Sequence, residues 1–148
     1  MNILISACLL GVRVRYDGQS KTNGDAVKLL KDHHLIPVCA EVMGGLPTPR
    51  VPAERVGTRV VNREGTDVTR QYERGAEEIV RLAKMYGCTL AILKERSPSC
   101  GHGAIYDGTF TGTLTEGDGV LAQRLIEAGV RVIGESEIEK VFPKGSPV

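Results

Sequence analysis

Apolar and polar positions alternate along the chain in two rhythms, one of strands and one of helices. Residues 2–10, "NILISACLL", are a near-continuous apolar run, which predicts a strand buried on both faces. Residues 11–24 carry Gly11, Gly18 and Gly24 as punctuation and read as a long loop. Apolar positions 26, 27, 29 and 30 predict a short helix over 25–34, with Asp25 as its N-cap. Residues 35–41, "LIPVCAE", are a second strand. The two glycines and three prolines of "VMGGLPTPRVPAE" exclude extended regular structure there. Residues 59–69 predict a small hairpin turning at Glu64 and Gly65. The clearest helix spans 69–87, with Tyr72, Ala76, Ile79, Val80, Ala83 and Tyr86 on one stripe and Gly87 closing it. "TLAILKE", 89–95, is a third long strand. A Gly/Thr-rich loop over 103–119, an amphipathic helix over 120–129 and a fourth strand over 130–134 follow. Residues 142–148 read as a frayed tail.

Strands that alternate with helices predict α/β architecture with a mainly parallel sheet. The expected order of the four long strands is about 2-1-3-4, the flavodoxin-like order, with a switch point between strands one and three. The hairpin is an insertion in a single domain spanning 1–148, and no internal repeat is visible.

Composition narrows the function classes. Among 148 residues, 19 basic and 18 acidic side chains are interspersed and give a net charge of +1, so no electrostatic footprint for a nucleic-acid duplex exists. No apolar stretch approaches the roughly 20 residues of a membrane span, and the N-terminus lacks the basic region of a signal peptide. The expected location is cytoplasmic. In a reducing compartment the four cysteines are core fillers, nucleophiles or metal ligands, not a disulfide framework.

Three of these cysteines fall at the same ends of predicted parallel strands. Cys8 ends strand one, Cys39 ends strand two, and Cys100 follows strand three in "KERSPSCGHG". That edge is where open α/β sheets bind ligands. Cys88 precedes strand three, at the opposite edge, and reads as structural. Three thiolates form an incomplete shell, which suits a catalytic zinc or an iron–sulfur cluster with one iron free of protein. The motifs alone leave that choice open.

Polar groups cluster beside the thiols. Glu41 lies two residues after Cys39 and faces the same way if the strand persists, a position for a general acid or base. Ser97 and Ser99 flank Pro98 and could hydrogen-bond a sulfur or a substrate carbonyl. Arg50, on a proline-bounded loop, suits recognition of a planar group. Asn23 lies on the loop after strand one, over the same edge. His102 is a fourth ligand or a loop histidine. His33 and His34 end a helix as dipole partners or surface residues.

The segments "SACLLGVRVRYDG", "PVCAEVMGGLPTPR" and "LKERSPSCGHG" resemble, in order, the three signature segments of the thiouracil desulfurase family, each with one cysteine. The resemblance runs from about residue 3 to residue 135. It implies a Rossmann-like three-layer fold and a [4Fe-4S] cluster on Cys8, Cys39 and Cys100. It further implies an open iron that takes a thione sulfur, and catalytic roles for Glu41 and Ser97. The expected partner is a small thiolated pyrimidine and the expected reaction non-redox, hydrolytic desulfuration. Two alternatives stay open at this point: a zinc-dependent hydrolase on the same thiolates, and a non-catalytic iron–sulfur or thiol sensor.

Overall fold

The computed structural model describes residues 1–143. Its centre is a four-stranded parallel sheet in the order β2-β1-β5-β8, formed by β1 (Asn2–Ser6), β2 (His34–Val38), β5 (Leu90–Leu93) and β8 (Arg131–Gly134). The expectation 2-1-3-4 numbered only the long strands. Two antiparallel hairpins bring the described residues to eight strands: β3 (Ala53–Val56) with β4 (Arg59–Asn62), and β6 (Ala104–Tyr106) with β7 (Leu114–Glu116).

The apolar runs are continuous because the sheet is covered on both faces. Leu4, Ala91, Leu93 and Val132 project into a core shared with the two long helices α3 (Thr69–Met85) and α4 (Val120–Glu127). Ile3, Ile5, Leu90, Ile92 and Ile133 project into the opposite core, with α1 (Gly24–Lys28) and α5 (Ile138–Val141). This alternation is the strand period of two. Truncating a buried member such as Ile92 to alanine would cost about 2–5 kcal/mol.

Several boundaries differ from expectation. β1 stops at Ser6, because residues Ala7–Leu10 coil into a 3₁₀ turn closed by Gly11 at φ +96°, a conformation glycine tolerates best. The N-cap of α1 is Asn23, whose side chain accepts from the Ala26 amide; Asp25 lies inside the first turn. β2 stops at Val38, and a four-residue helix, α2 (Ala40–Met43), begins where the strand was expected to continue. The insertion hairpin pairs 53–56 with 59–62. The turn at Glu64 and Gly65 follows it, with only a bridge between Val61 and Asp67. β6 and β7 lie in the stretch read as a loop, since all three residues of β7 are exposed and leave no apolar rhythm. On α3 the stripe holds through Ala83, but Tyr86 is exposed. His33 is not a surface residue: it is buried, with Nδ1 3.2 Å from the N-terminal amine and its ring edge-on to Phe142. Phe142 thus packs on the fold, while residues 144–148 of the expected tail lie outside the described residues.

Candidate functional site

Parallel register brings three chain exits together. Ser6 pairs with Val38 and Ile5 with Ile92, so β1, β2 and β5 end side by side. The segments that leave them wall a cavity of about 540 Å³, a size typical of small-molecule sites. Cys8 lies in the 3₁₀ turn after β1, Cys39 is the N-cap residue of α2, and Cys100 lies in the turn after β5; all three line the cavity. Cys88, before β5, sits instead in the apolar core beneath α3.

The loop carrying Cys100 is held from behind by α4. The Pro98 carbonyl accepts from the Val120 amide, and the Ser99 carbonyl from the Leu121 and Ala122 amides at 2.9 and 3.1 Å. Gly119 is required for this approach, since a Cβ there would lie 2.3 Å from the Ser99 carbonyl oxygen. The Ser97 hydroxyl accepts from the Ser99 and Cys100 amides, each at 3.1 Å. With those two N–H groups on its oxygen, Ser97 faces the cavity chiefly as a donor.

Burial pushes all three thiols up: Cys8 to about 11, with Cys39 adding to the shift, Cys39 with help from Glu41, and Cys100 well above its ordinary range, again with Glu41. Lys94 and Arg15 oppose the shift at Cys8, and the Ser6 hydroxyl donates to Cys100 Sγ at 3.3 Å. Without a metal these are protonated thiols at neutral pH, so loading a metal centre releases protons. Soft thiolates favour zinc or iron–sulfur centres. Among the described residues no three His, Cys, Asp or Glu side chains close around a single ion.

Glu41 occupies the first turn of α2, not a strand face. The Arg50 guanidinium donates to its Oε2 at 2.9 Å, and both side chains are largely buried. The other oxygen, Oε1, is buried with no hydrogen-bond partner. An unsatisfied carboxylate oxygen costs about 1–3 kcal/mol or more, so it marks a place where a ligand or water donates. Arg50 also donates to the Pro47 carbonyl and the Thr48 hydroxyl, which leaves it holding Glu41 and its own loop in place.

Six of the eight residues named from the sequence meet at this cavity: Cys8, Cys39, Cys100, Glu41, Ser97 and Arg50. Two do not. The side chain of Asn23 is spent on capping α1, and Ser99 is fully buried behind the loop with its hydroxyl unpartnered among the described residues. His102 hydrogen-bonds Asp118 at 2.7 Å outside the cavity, as a loop histidine. Sequence reasoning missed Ser6, Tyr72 and Lys94, which also line the cavity. A charged residue ending the apolar run of β5 was the available signal for Lys94. Tyr72 gave none, because its spacing is that of a core residue.

The profile of the 2-thiouracil desulfurase family matches residues 3–137. The uncharacterized protein YbbK of Bacillus subtilis (strain 168) is 40% identical over 150 residues, covering 95% of this chain and 99% of that protein. Among solved structures, the [4Fe-4S]-dependent thiouracil desulfidase TudS superposes with a TM-score of 0.90 at 45% identity, over 95% of each chain.

Proposed function

The chain belongs to the 2-thiouracil desulfurase family, and on that footing we propose that it removes sulfur from a thiolated pyrimidine of the thiouracil kind, with a [4Fe-4S] cluster on Cys8, Cys39 and Cys100. The observation that carries this reading is the meeting of three thiols, Cys8 and Cys100 buried and Cys39 half-buried, from three strand ends on one cavity that also holds an unpartnered carboxylate oxygen.

The donor set fits the cluster. A single tetrahedral zinc with bonds near 2.3 Å needs its sulfurs about 3.8 Å apart. Among the described residues no such grouping occurs, and a cubane takes each thiolate on a different iron. When bound, the cluster supplies one iron without a protein ligand, a Lewis acid for the thione sulfur.

The chain's own residues do the rest. Glu41 Oε1 accepts a proton from the attacking water, while Arg50 holds Oε2 and fixes the carboxylate's direction. The water oxygen bonds to the thiocarbonyl carbon, the C–S bond breaks with its electron pair on sulfur, and both water protons leave with the sulfide or into solvent. The Ser97 hydroxyl donates to the departing sulfur. The products are a ring carbonyl and sulfide, and no outside oxidant or reductant enters.

With this reading goes a Rossmann-like description of the three layers, supported by helices on both faces of a parallel sheet. So do a single domain, a cytoplasmic location and a small-molecule partner in place of a duplex or membrane. Among the described residues no helix is long and apolar enough to cross a membrane. The test is purification without oxygen, followed by assays for iron, acid-labile sulfide and zinc and for uracil release from 2-thiouracil. About four irons and four sulfides per chain, with stoichiometric uracil and sulfide release, are expected. Zinc alone, or a loaded chain that releases no uracil, rejects the proposal.

A further inference from the structure

Tyr72 lies on α3, on the stripe that faces the core, and is only 3% exposed. A phenylalanine would fill the same space. Yet its ring reaches the cavity, and its hydroxyl forms no hydrogen bond with any described residue. The residue is buried as a whole, but its hydroxyl oxygen is open to the cavity and free to donate there. Tyr72 lines the cavity together with Cys39, Cys100 and Glu41; burial chiefly raises its pKa, with Glu41 adding to the rise and Arg50 opposing it, so the hydroxyl is a neutral donor.

The position is fixed by backbone contact. A Cβ on Gly75 would lie 1.9 Å from the Ala40 carbonyl oxygen, and a Cβ on Gly44 would lie 1.9 Å from that of Gln71. α2 and α3 therefore touch through bare glycines on either side of the pair Glu41 and Tyr72. Gly75 is three residues after Tyr72 and shares its face of the helix. The two helices present to the cavity a buried unpartnered acceptor, Glu41 Oε1, and a cavity-facing donor with no hydrogen bond to a described residue, the Tyr72 hydroxyl.

Resting on the thiouracil reading above, we infer that Tyr72 is a substrate-contacting residue whose hydroxyl donates to the ring carbonyl oxygen that thiouracil keeps. Of the cationic side chains that line this end, Arg50 is committed to Glu41 and Lys94 to Glu135, each at 2.9 Å. Tyr72 thus separates pyrimidines that carry a ring oxygen beside the thiocarbonyl from those that lack it.

The test is a two-by-two comparison on the cluster-loaded protein: wild type against Tyr72→Phe, and 2-thiouracil against 2-mercaptopyrimidine, which lacks the ring oxygen. Calorimetric binding of uracil is measured alongside. Loss of one neutral hydrogen bond predicts about tenfold higher KM for 2-thiouracil and about tenfold weaker uracil binding in Tyr72→Phe. No comparable change is expected with 2-mercaptopyrimidine, and kcat should change less than KM. Equal effects on both substrates, or unchanged uracil binding, overturn the inference. A wild-type protein that binds uracil yet releases no sulfide sinks the proposed function instead, and the uracil comparison still decides the role of Tyr72.

Discussion

Cys100 and Cys88 sit at opposite edges of the same sheet. Both are buried, at 8% and 6% exposure, and burial raises the pKa of both thiols. The resemblance ends there. Around Cys100 stand two further thiols, the Ser6 hydroxyl and the Glu41 carboxylate, while burial alone acts on Cys88. Apolar neighbours make a cysteine a small hydrophobe. Convergence of chain exits puts it beside other thiols and polar groups, and the carboxyl-terminal edge of a parallel sheet supplies that convergence.

The sharpest break between the two edges is the loss of a ligand. Cys8→Ser, Cys39→Ser or Cys100→Ser each replaces a soft thiolate with a poor iron ligand. Each variant is expected to lose most of its iron and acid-labile sulfide and to release uracil from 2-thiouracil at background rate. Full iron content in any one of the three would remove that cysteine from the ligand set.

Glu41→Gln comes next. It keeps the shape but gives up the basic oxygen, and general-base losses run to about 10²–10⁴-fold in rate. Iron content should match that of the wild type. A variant that turns over normally would return Glu41 to a structural role beside Arg50.

The comparison also shows what could be read from the chain. The cysteines were legible because apolar runs locate strands, and parallel strands align their ends. Glu41 was found through a wrong geometry: the expected strand face is the first turn of α2, since β2 ends at Val38 and the chain coils at once. Its nearness to Cys39 survived the change, because two residues span a short distance in either shape. Asn23 and Ser99, also expected at the site, do not line the cavity. Both lie in segments that pass the cavity, but helix ends claimed them, α1 through the Asn23 side chain and α4 through the Ser99 carbonyl. Tyr72 was hidden, as its hydroxyl lies on a stripe whose spacing reports only burial. β6 and β7 were hidden by their short length and by the full exposure of β7.

A smaller effect at Cys8 is read through pH. The Cys8 pKa rises from 9.0 to about 11, with burial the main cause. In cluster-free protein this stabilisation is whole below pH 9, where folded and unfolded chains both keep the proton. It is lost as pH rises from 9 through 11, where the unfolded chain sheds its proton first. At about 1.4 kcal/mol per pH unit, the loss is about 2–3 kcal/mol. Urea midpoints of cluster-free wild type and Cys8→Ser at pH 8 and pH 11 measure it, and the variant should show the shallower decline. Identical declines would mean that the thiol ionises as readily folded as unfolded.

The mildest change tests the other edge. Cys88→Ser places a hydroxyl in the apolar core that Cys88 shares with Ala83, Ala91 and Val130. Burying an unsatisfied hydroxyl costs about 1–3 kcal/mol, visible as a lower urea midpoint. Iron per chain and uracil release should equal the wild-type values, because Cys88 does not line the cavity and its thiol is shifted by burial alone. Cys88→Ala, which introduces no hydroxyl, should recover part of the lost stability. If Cys88→Ser folded yet lost iron, both edges of the sheet would matter to the metal centre, and the position of a cysteine along a parallel strand would no longer distinguish a ligand from a core filler.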